Sequence, residues 1–268
     1  MCEVSIIMGI YKMIKKENLV KLAIDSILNQ TYKDFEFIIC DDGSNDGTYE
    51  MVQDLIKNDK RVILIKNDEN KGLAYSLNHC LSIAKGKYIA RMDADDISMP
   101  DRLEKQIGFL NEHLEYAMVG CNLLLINDKG IWGKRILAKE PTKKSFLFTS
   151  PFCHPAIVMR KKVLDKVNNY KVEKITRRAE DYDLFMRIYA NGYKGYNMQE
   201  FLYKFREDND AYKRRAYKYR IDDVQIRYKG FKALGLMPKG FLYVMKPLVV
   251  GLIPQKILVR LRKFRVEK

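Results

Sequence analysis

Three carboxylates fall within four residues at Asp93-Ala94-Asp95-Asp96. Side by side they repel, and each raises the pKa of the others unless a cation lies near. A hard divalent ion resolves that conflict. Mg²⁺ or Mn²⁺ binds through one or two carboxylates and completes its shell with substrate phosphates and water. A solvated acidic turn is the alternative. A second cluster, Asp41-Asp42-Gly43-Ser44-Asn45-Asp46-Gly47-Thr48, has the composition of a turn leading into a helix N-cap. Taken together, the two clusters favour a site for a metal and a diphosphate. Glu180, Asp181 and Asp183 form a third acidic group at the start of the helical pattern Tyr182–Ala190. Carboxylates there commonly cap a helix or complement its dipole, and Glu180 or Asp183 is the candidate for that role.

The elements that position these groups are legible from periodicity. Short apolar runs at Val4–Met8, Phe35–Cys40, Arg61–Lys66 and Lys87–Met92 read as strands. Between them, Leu19–Leu28, Met51–Ile56 and Leu73–Leu81 repeat at helical spacing. Strands separated by helices need crossover connections, so the fold class is α/β with a mainly parallel sheet. In such sheets ligands bind at the carboxyl ends of strands, which is where the first two acidic clusters fall. Pro100 opens a further helix carrying Leu103, Ile107 and Leu110. After about residue 115 the alternation changes: Val119–Ile126 and Ala156–Met159 read as strands in an irregular setting.

Composition narrows the class. The chain has 268 residues, of which 47% are hydrophobic, enough for a sizeable core. Its five cysteines (2, 40, 80, 121 and 153) are scattered without a Cys-x-x-Cys, so neither a disulfide framework nor a zinc site is expected, and a reducing compartment fits. No basic leader precedes the first strand, and no run reaches the roughly 18 apolar residues of a membrane span. A cytoplasmic location is therefore expected. The first strand continues into Met8-Gly9-Ile10-Tyr11, with neither a Gly-x-Gly-x-x-Gly nor a phosphate loop. A Gly-x-Ser-x-Gly elbow is also missing. Cys153-His154 does not read as a thiolate–imidazole pair, because neighbours on a strand point to opposite faces.

The ordered set Val4–Tyr11, Asp41-Asp42-Gly43-Ser44, Asn70-Lys71-Gly72, Asp93-Ala94-Asp95-Asp96 and Ala179-Glu180-Asp181-Tyr182 resembles family 2 glycosyltransferases of the GT-A fold. The nearest type is the bacterial enzymes that build capsule, exopolysaccharide or O-antigen chains. The likeness covers about residues 3–205. It implies a Rossmann-like sheet flanked by helices, with a smaller mixed region on the acceptor side. The expected domains are then a catalytic unit, 1–205, and a helical basic extension, 206–268. Within the catalytic unit, 1–115 would bind nucleotide and 116–205 acceptor.

The resemblance also implies roles. Tyr11 and Asp41 would line the base pocket, Lys71 would contact the nucleotide, and Asp93 would approach the ribose. Asp95, in a DXD motif, would ligate Mn²⁺ or Mg²⁺ on the diphosphate. His154 falls near the diphosphate or acceptor, with a structural place at a strand start as its other reading. Asp181 falls at the catalytic base. Gly9 and Lys12 depart from the family's usual Pro or Thr before the tyrosine and Asn after it. A single base opposite the leaving group implies inversion, with a UDP-sugar donor and a saccharide or lipid-linked saccharide acceptor.

The net charge of +15 sits mostly in the tail. Residues 204–268 carry eighteen Lys/Arg against six Asp/Glu. Around Tyr212, Arg214, Arg215, Tyr217, Tyr219, Arg220, Arg227 and Tyr228 the basic residues interleave with aromatics. That mixture suits nucleic acid and defines the competing reading, a nucleotidyl-transferring or RNA-associated enzyme using the same acidic site. A non-catalytic sugar-binding module is a third class, but would not need Asp95 and Asp181 together. Residues 241–268 combine apolar and basic residues, broken by Pro247 and Pro254. They suit a segment lying on an anionic membrane surface, or helices packed on the catalytic unit. The expected partners are a nucleotide-sugar, an acceptor and the inner membrane face, with no nucleic acid.

Overall fold

A computed structural model describes residues 2–207 and 217–253. Tyr212, Arg214 and Arg215, and the tail from 254 on, lie outside the described residues. Four strands, β1 (Val4–Ile10), β2 (Phe35–Asp41), β3 (Val62–Lys66) and β4 (Tyr88–Arg91), alternate with α1 (Glu17–Leu28), α2 (Thr48–Ile56) and α3 (Leu73–Ile83). They pair in parallel in the order β3-β2-β1-β4.

β1 and β2 are nearly continuous apolar runs because helices cover both faces of the sheet. Alternate side chains divide between two cores. Val4, Ile6 and Met8 pack with Val20, Ile24 and Ile27 of α1. Ile7 turns the other way, to Leu77, Cys80 and Leu81 of α3.

The second half contains β5 (Ile97–Ser98), α4 (Arg102–Glu112), β6 (Tyr116–Asn127), β7 (Gly130–Arg135), β8 (Val158–Arg160), α5 (Lys161–Lys166), α6 (Glu180–Ala190) and β9 (Lys194–Arg206). β8 is antiparallel to both β4 and β6 and so joins the halves into one sheet. β6 then pairs in parallel with β9, whose C-terminal part pairs antiparallel with β5. The strand expected over Ala156–Met159 is displaced. His154–Ala156 form a 3-10 turn around Pro155, and strand pairing begins only at Val158. Arg160 ends β8 and is buried, donating to the carbonyls of Leu110 (2.6 Å), His113 (3.2 Å) and Tyr116 (2.9 Å). It thereby satisfies orphan carbonyls at the end of α4.

Two helices follow, α7 (Lys218–Ala233) and α8 (Phe241–Leu252). α7 packs on α6: Gly230 lies against Met186, where any Cβ would collide with its sulfur, and Ile226 and Phe231 are buried. α8 packs through Val244 and Pro247. Residues 218–252 are therefore two helices packed on each other and on α6. Among the described residues no helix is long and apolar enough to cross a membrane.

Candidate active site

The end of β1 lies beside the end of β2, with Ile10 in register with Asp41. Asp41 is fully buried and accepts hydrogen bonds from the Ser44 backbone N–H (3.2 Å) and hydroxyl. Burial pushes its carboxyl up, while Ser44 and the Lys66 ammonium 3.9 Å away pull it down. Tyr11 stands exposed beyond β1. Lys12 follows with φ 51°, a left-handed conformation that Asn tolerates better than Lys, and its N–H donates to the Ser44 hydroxyl at 2.9 Å.

Asp42 has a different task. Its carboxylate accepts from the Asn67 and Asn70 amides (both 2.9 Å) and from the backbone N–H groups of Lys71 (2.9 Å) and Gly72 (2.8 Å). Gly43 presses on the backbone of Glu69 and Asn70, with φ 70° and no room for a Cβ. These contacts fasten the Asn70–Gly72 loop to the end of β2. Lys71 is carried there with its ammonium over the Tyr75 ring. The helix that follows Asp41–Thr48 has Gly47 at its N-cap, and Asp46 accepts from the Thr48 N–H and hydroxyl. The turn and the candidate base pocket thus coexist in one segment.

β4 leads into Asp93-Ala94-Asp95-Asp96. Arg91 is buried and forms an ion pair with Asp93, which stays half-exposed. Asp96 turns inward and accepts from the Arg206 N–H at 2.6 Å, while the Arg206 guanidinium donates to the Asp95 carbonyl at 3.1 Å. Asp95 is half-buried, and its carboxyl is raised to about 6, first by burial and then by Asp93. Lys16 and Arg206 oppose the rise. A carboxylate whose charge is disfavoured by burial and by a neighbouring carboxylate is a fitting place for a divalent cation. Among the described residues no three His, Cys, Asp or Glu side chains form a ready-made metal cluster. A Mg²⁺ or Mn²⁺ held by Asp95 would therefore draw further oxygens from substrate phosphates and water, as these ions do.

The N-terminus of α6 faces the same charges. Burial raises the Asp181 carboxyl; Arg91 lowers it and Asp93 raises it. Glu180 is pushed up to about 8, by burial and then by Asp181. None of these acids makes the expected side-chain cap on α6. Asp183 instead pairs with Arg187 at 2.7 Å and faces Lys171 at 3.9 Å. The cap position is Ala179, and acids within the first turn complement the dipole without reaching back.

His154 is buried on the 3-10 turn, its Nε2 2.7 Å from the Tyr170 hydroxyl. Burial and the nearby Arg91 hold its pKa well below the usual histidine value. Tyr170 is locked in turn by Asn78, which exchanges two hydrogen bonds with its backbone (2.8 and 3.1 Å). Sequence reasoning missed Arg91, Tyr170, Arg206 and Tyr203, whose hydroxyl accepts from the Asp93 N–H at 3.4 Å. An arginine inside the otherwise apolar run Tyr88-Ile89-Ala90-Arg91-Met92 was a signal for the first. Nothing comparable marked the others.

A family model described as Glycosyl transferase family 2 matches residues 5–167. The chain is 44% identical over 265 residues to "Putative glycosyltransferase EpsE" of Bacillus subtilis, covering 98% of this chain and 94% of that one. It is 33% identical over 194 residues to the Escherichia coli "UDP-Glc:alpha-D-GlcNAc-diphosphoundecaprenol beta-1,3-glucosyltransferase WfaP", covering 72% and 73%. The fold is similar to the Pyrobaculum calidifontis mannosyltransferase PcManGT, solved with GDP-Man and Mn²⁺. The TM-score is 0.65 at 18% identity, covering 98% of this chain and 79% of that one. The expected GT-A fold is the one adopted, and the comparisons place the chain among polysaccharide-building enzymes rather than nucleotidyl transferases. The chain belongs to glycosyltransferase family 2.

Proposed function

We propose that this glycosyltransferase is inverting and metal-dependent, and that it moves a hexosyl or N-acetylhexosaminyl group from a UDP-sugar to a hydroxyl of a saccharide or lipid-linked saccharide. The observation that carries the reading is the convergence of Asp93 and Asp181 on one buried cation, Arg91, with Asp95 set beside Asp93. Residues 1–205 are the catalytic unit in this reading, with nucleotide held by 1–115 and acceptor by 116–205. The comparison with WfaP supports a UDP donor, a lipid-linked acceptor and a β-linked product. The PcManGT complex supports the metal.

Tyr11 and Asp41 bind the base, Lys71 reaches the nucleotide, and Asp93 meets the ribose. Asp95 would hold Mn²⁺ or Mg²⁺, which when bound would offset charge developing on the departing diphosphate. Asp181 accepts the proton of the acceptor hydroxyl as that oxygen bonds to the anomeric carbon. The bond from that carbon to the diphosphate oxygen breaks on the opposite face, and its electron pair leaves with the nucleoside diphosphate. His154 serves the site through Tyr170, which it holds by a hydrogen bond. The protein works at the inner membrane face, where lipid-linked acceptors are presented.

The test is nucleotide release from UDP-, GDP- and dTDP-sugars with Mn²⁺, followed by NMR of the glycosidic product. Release from UDP-sugars, silenced reversibly by chelator, with an inverted anomeric centre is the expected result. Full activity in excess chelator, or retention of configuration, defeats the proposal.

A further inference from the structure

α8 buries Val244 and Pro247 and turns an apolar stripe to solvent. Leu242 is 81% exposed, Val249 62% and Leu252 76%, with Phe241 and Met245 beside them. Their spacing places all five on one arc of the helix, about a third of its circumference. A helix that already packs through its opposite face has no need of this stripe for folding. Continuous exposed apolar surface of this kind marks an interaction site.

Charge identifies the partner. α8 contains no acidic residue, and residues 224–266 carry ten Lys/Arg with no Asp or Glu. An apolar arc on a helix within a basic stretch of sequence free of acids matches a bilayer interface rich in anionic headgroups. RNA would use the charge but leave Leu242, Val249 and Leu252 in water.

The stripe is also placed with respect to the chemistry. Gly251, near the end of α8, sits against Tyr217 and Arg220 at the start of α7. The Arg178 guanidinium lies over the ring of Tyr219, the next residue but one after Tyr217. Arg178 is two residues from Glu180, where α6 brings Asp181 to the cleft. The C-terminal end of α8 and the N-terminal end of α6 are thus joined by contiguous contacts. We propose that the exposed face of α8 docks on an anionic lipid surface and holds the acceptor side of the cleft against the headgroups. This deepens the functional reading by assigning a face and an orientation, and its use for lipid-linked acceptors rests on that reading.

The test compares the full chain with a triple variant, Leu242→Ser, Val249→Ser and Leu252→Ser, on phosphatidylcholine vesicles with and without phosphatidylglycerol. The wild type should prefer the anionic vesicles, and the variant should bind them at least about tenfold more weakly. Transfer to a soluble acceptor analogue should be unchanged in the variant, while transfer to a lipid-linked acceptor in vesicles falls. A single variant, Leu252→Trp, guards against a folding defect in the triple one, because its emission should shift to the blue on anionic vesicles. Equal binding by wild type and triple variant, no preference for anionic over neutral vesicles, or no shift from Leu252→Trp overturns the proposal. So does preferential binding of single-stranded RNA, or a wild-type dimer that the serines dissociate. Absence of all sugar transfer alongside intact vesicle binding defeats the enzymatic reading and leaves the docking surface standing.

Discussion

Arg91 and Asp93 form an ion pair at the end of β4 in which the guanidinium is buried and the carboxylate keeps about a third of its surface. The arginine's charge also reaches Asp181, Glu180, His154 and Tyr170, so one fixed cation serves elements from both halves of the sheet. It holds Asp93 in a defined place before any substrate arrives.

Arg91→Met should therefore do more than remove an ion pair. Breaking a buried pair by deleting one partner costs about 3–5 kcal/mol, and the half-exposed Asp93 puts this case at the lower end. Urea denaturation measures the loss. Arg91→Lys, which keeps the charge but not the planar fork, should recover part of the stability. A stability equal to wild type for Arg91→Met would show that the pair organises nothing.

Asp42 tests the loop that carries Lys71. Asp42→Asn exchanges a four-fold acceptor for a group with one acceptor oxygen, facing two backbone N–H donors and two amides. Hydrogen bonds to charged groups contribute about 1.5–3 kcal/mol each, but relaxation of the loop should limit the loss to about that of one bond. The loosened loop should raise KM for the nucleotide-sugar about tenfold with a smaller change in kcat. A less stable variant with unchanged KM would remove Lys71 from the nucleotide site.

The parallel half was legible because its signals are local. Apolar runs alternating with helical periodicity set β1 to β4 and their helices, and the acidic clusters fell at strand ends by the rule for such sheets. What escaped depends on contacts distant in sequence. β9 mixes Lys, Gln and Glu with aromatics, and its identity comes from pairing with β6, some eighty residues earlier. Tyr203 and Arg206 enter the site only through that pairing. The position of His154 turned on Pro155, which favours a turn where apolar composition alone reads as a strand.

Stability should respond to pH in opposite senses at two groups. His154 is neutral in the fold, so its contribution is fully present above the ordinary value of 6.5 and lost as pH falls and the unfolded chain binds the proton. Glu180 has the reverse sign. The fold keeps its proton up to about 8, against 4.5 ordinarily, so its contribution is complete below 4.5 and disappears as pH rises toward 8. His154→Gln should flatten the acid side of a melting-temperature profile, and Glu180→Gln the alkaline side. Unchanged slopes in both variants would mean that neither group is held as the structure shows.

Asp181→Asn separates catalysis from structure most cleanly. A carboxylate that capped α6 would cost roughly 0.5–2 kcal/mol when lost and leave appreciable turnover. Asp181 stands outside the N-cap position of α6, accepts from the neighbouring Tyr182 N–H, and sits beside Glu180, whose carboxyl it raises. Neutralising it removes a like charge from a buried site, so the variant should melt no lower than wild type. Loss of a general base slows proton transfer by about 10²–10⁴-fold. The expected result is thus a stable protein that binds UDP-sugar and Mn²⁺ with unchanged affinity and transfers sugar at least about a hundredfold more slowly. Near-normal turnover would move the base elsewhere. Glu180 is the next carboxyl in line, and its pKa, still raised by burial though no longer by Asp181, would then appear in the pH–rate profile of the same variant.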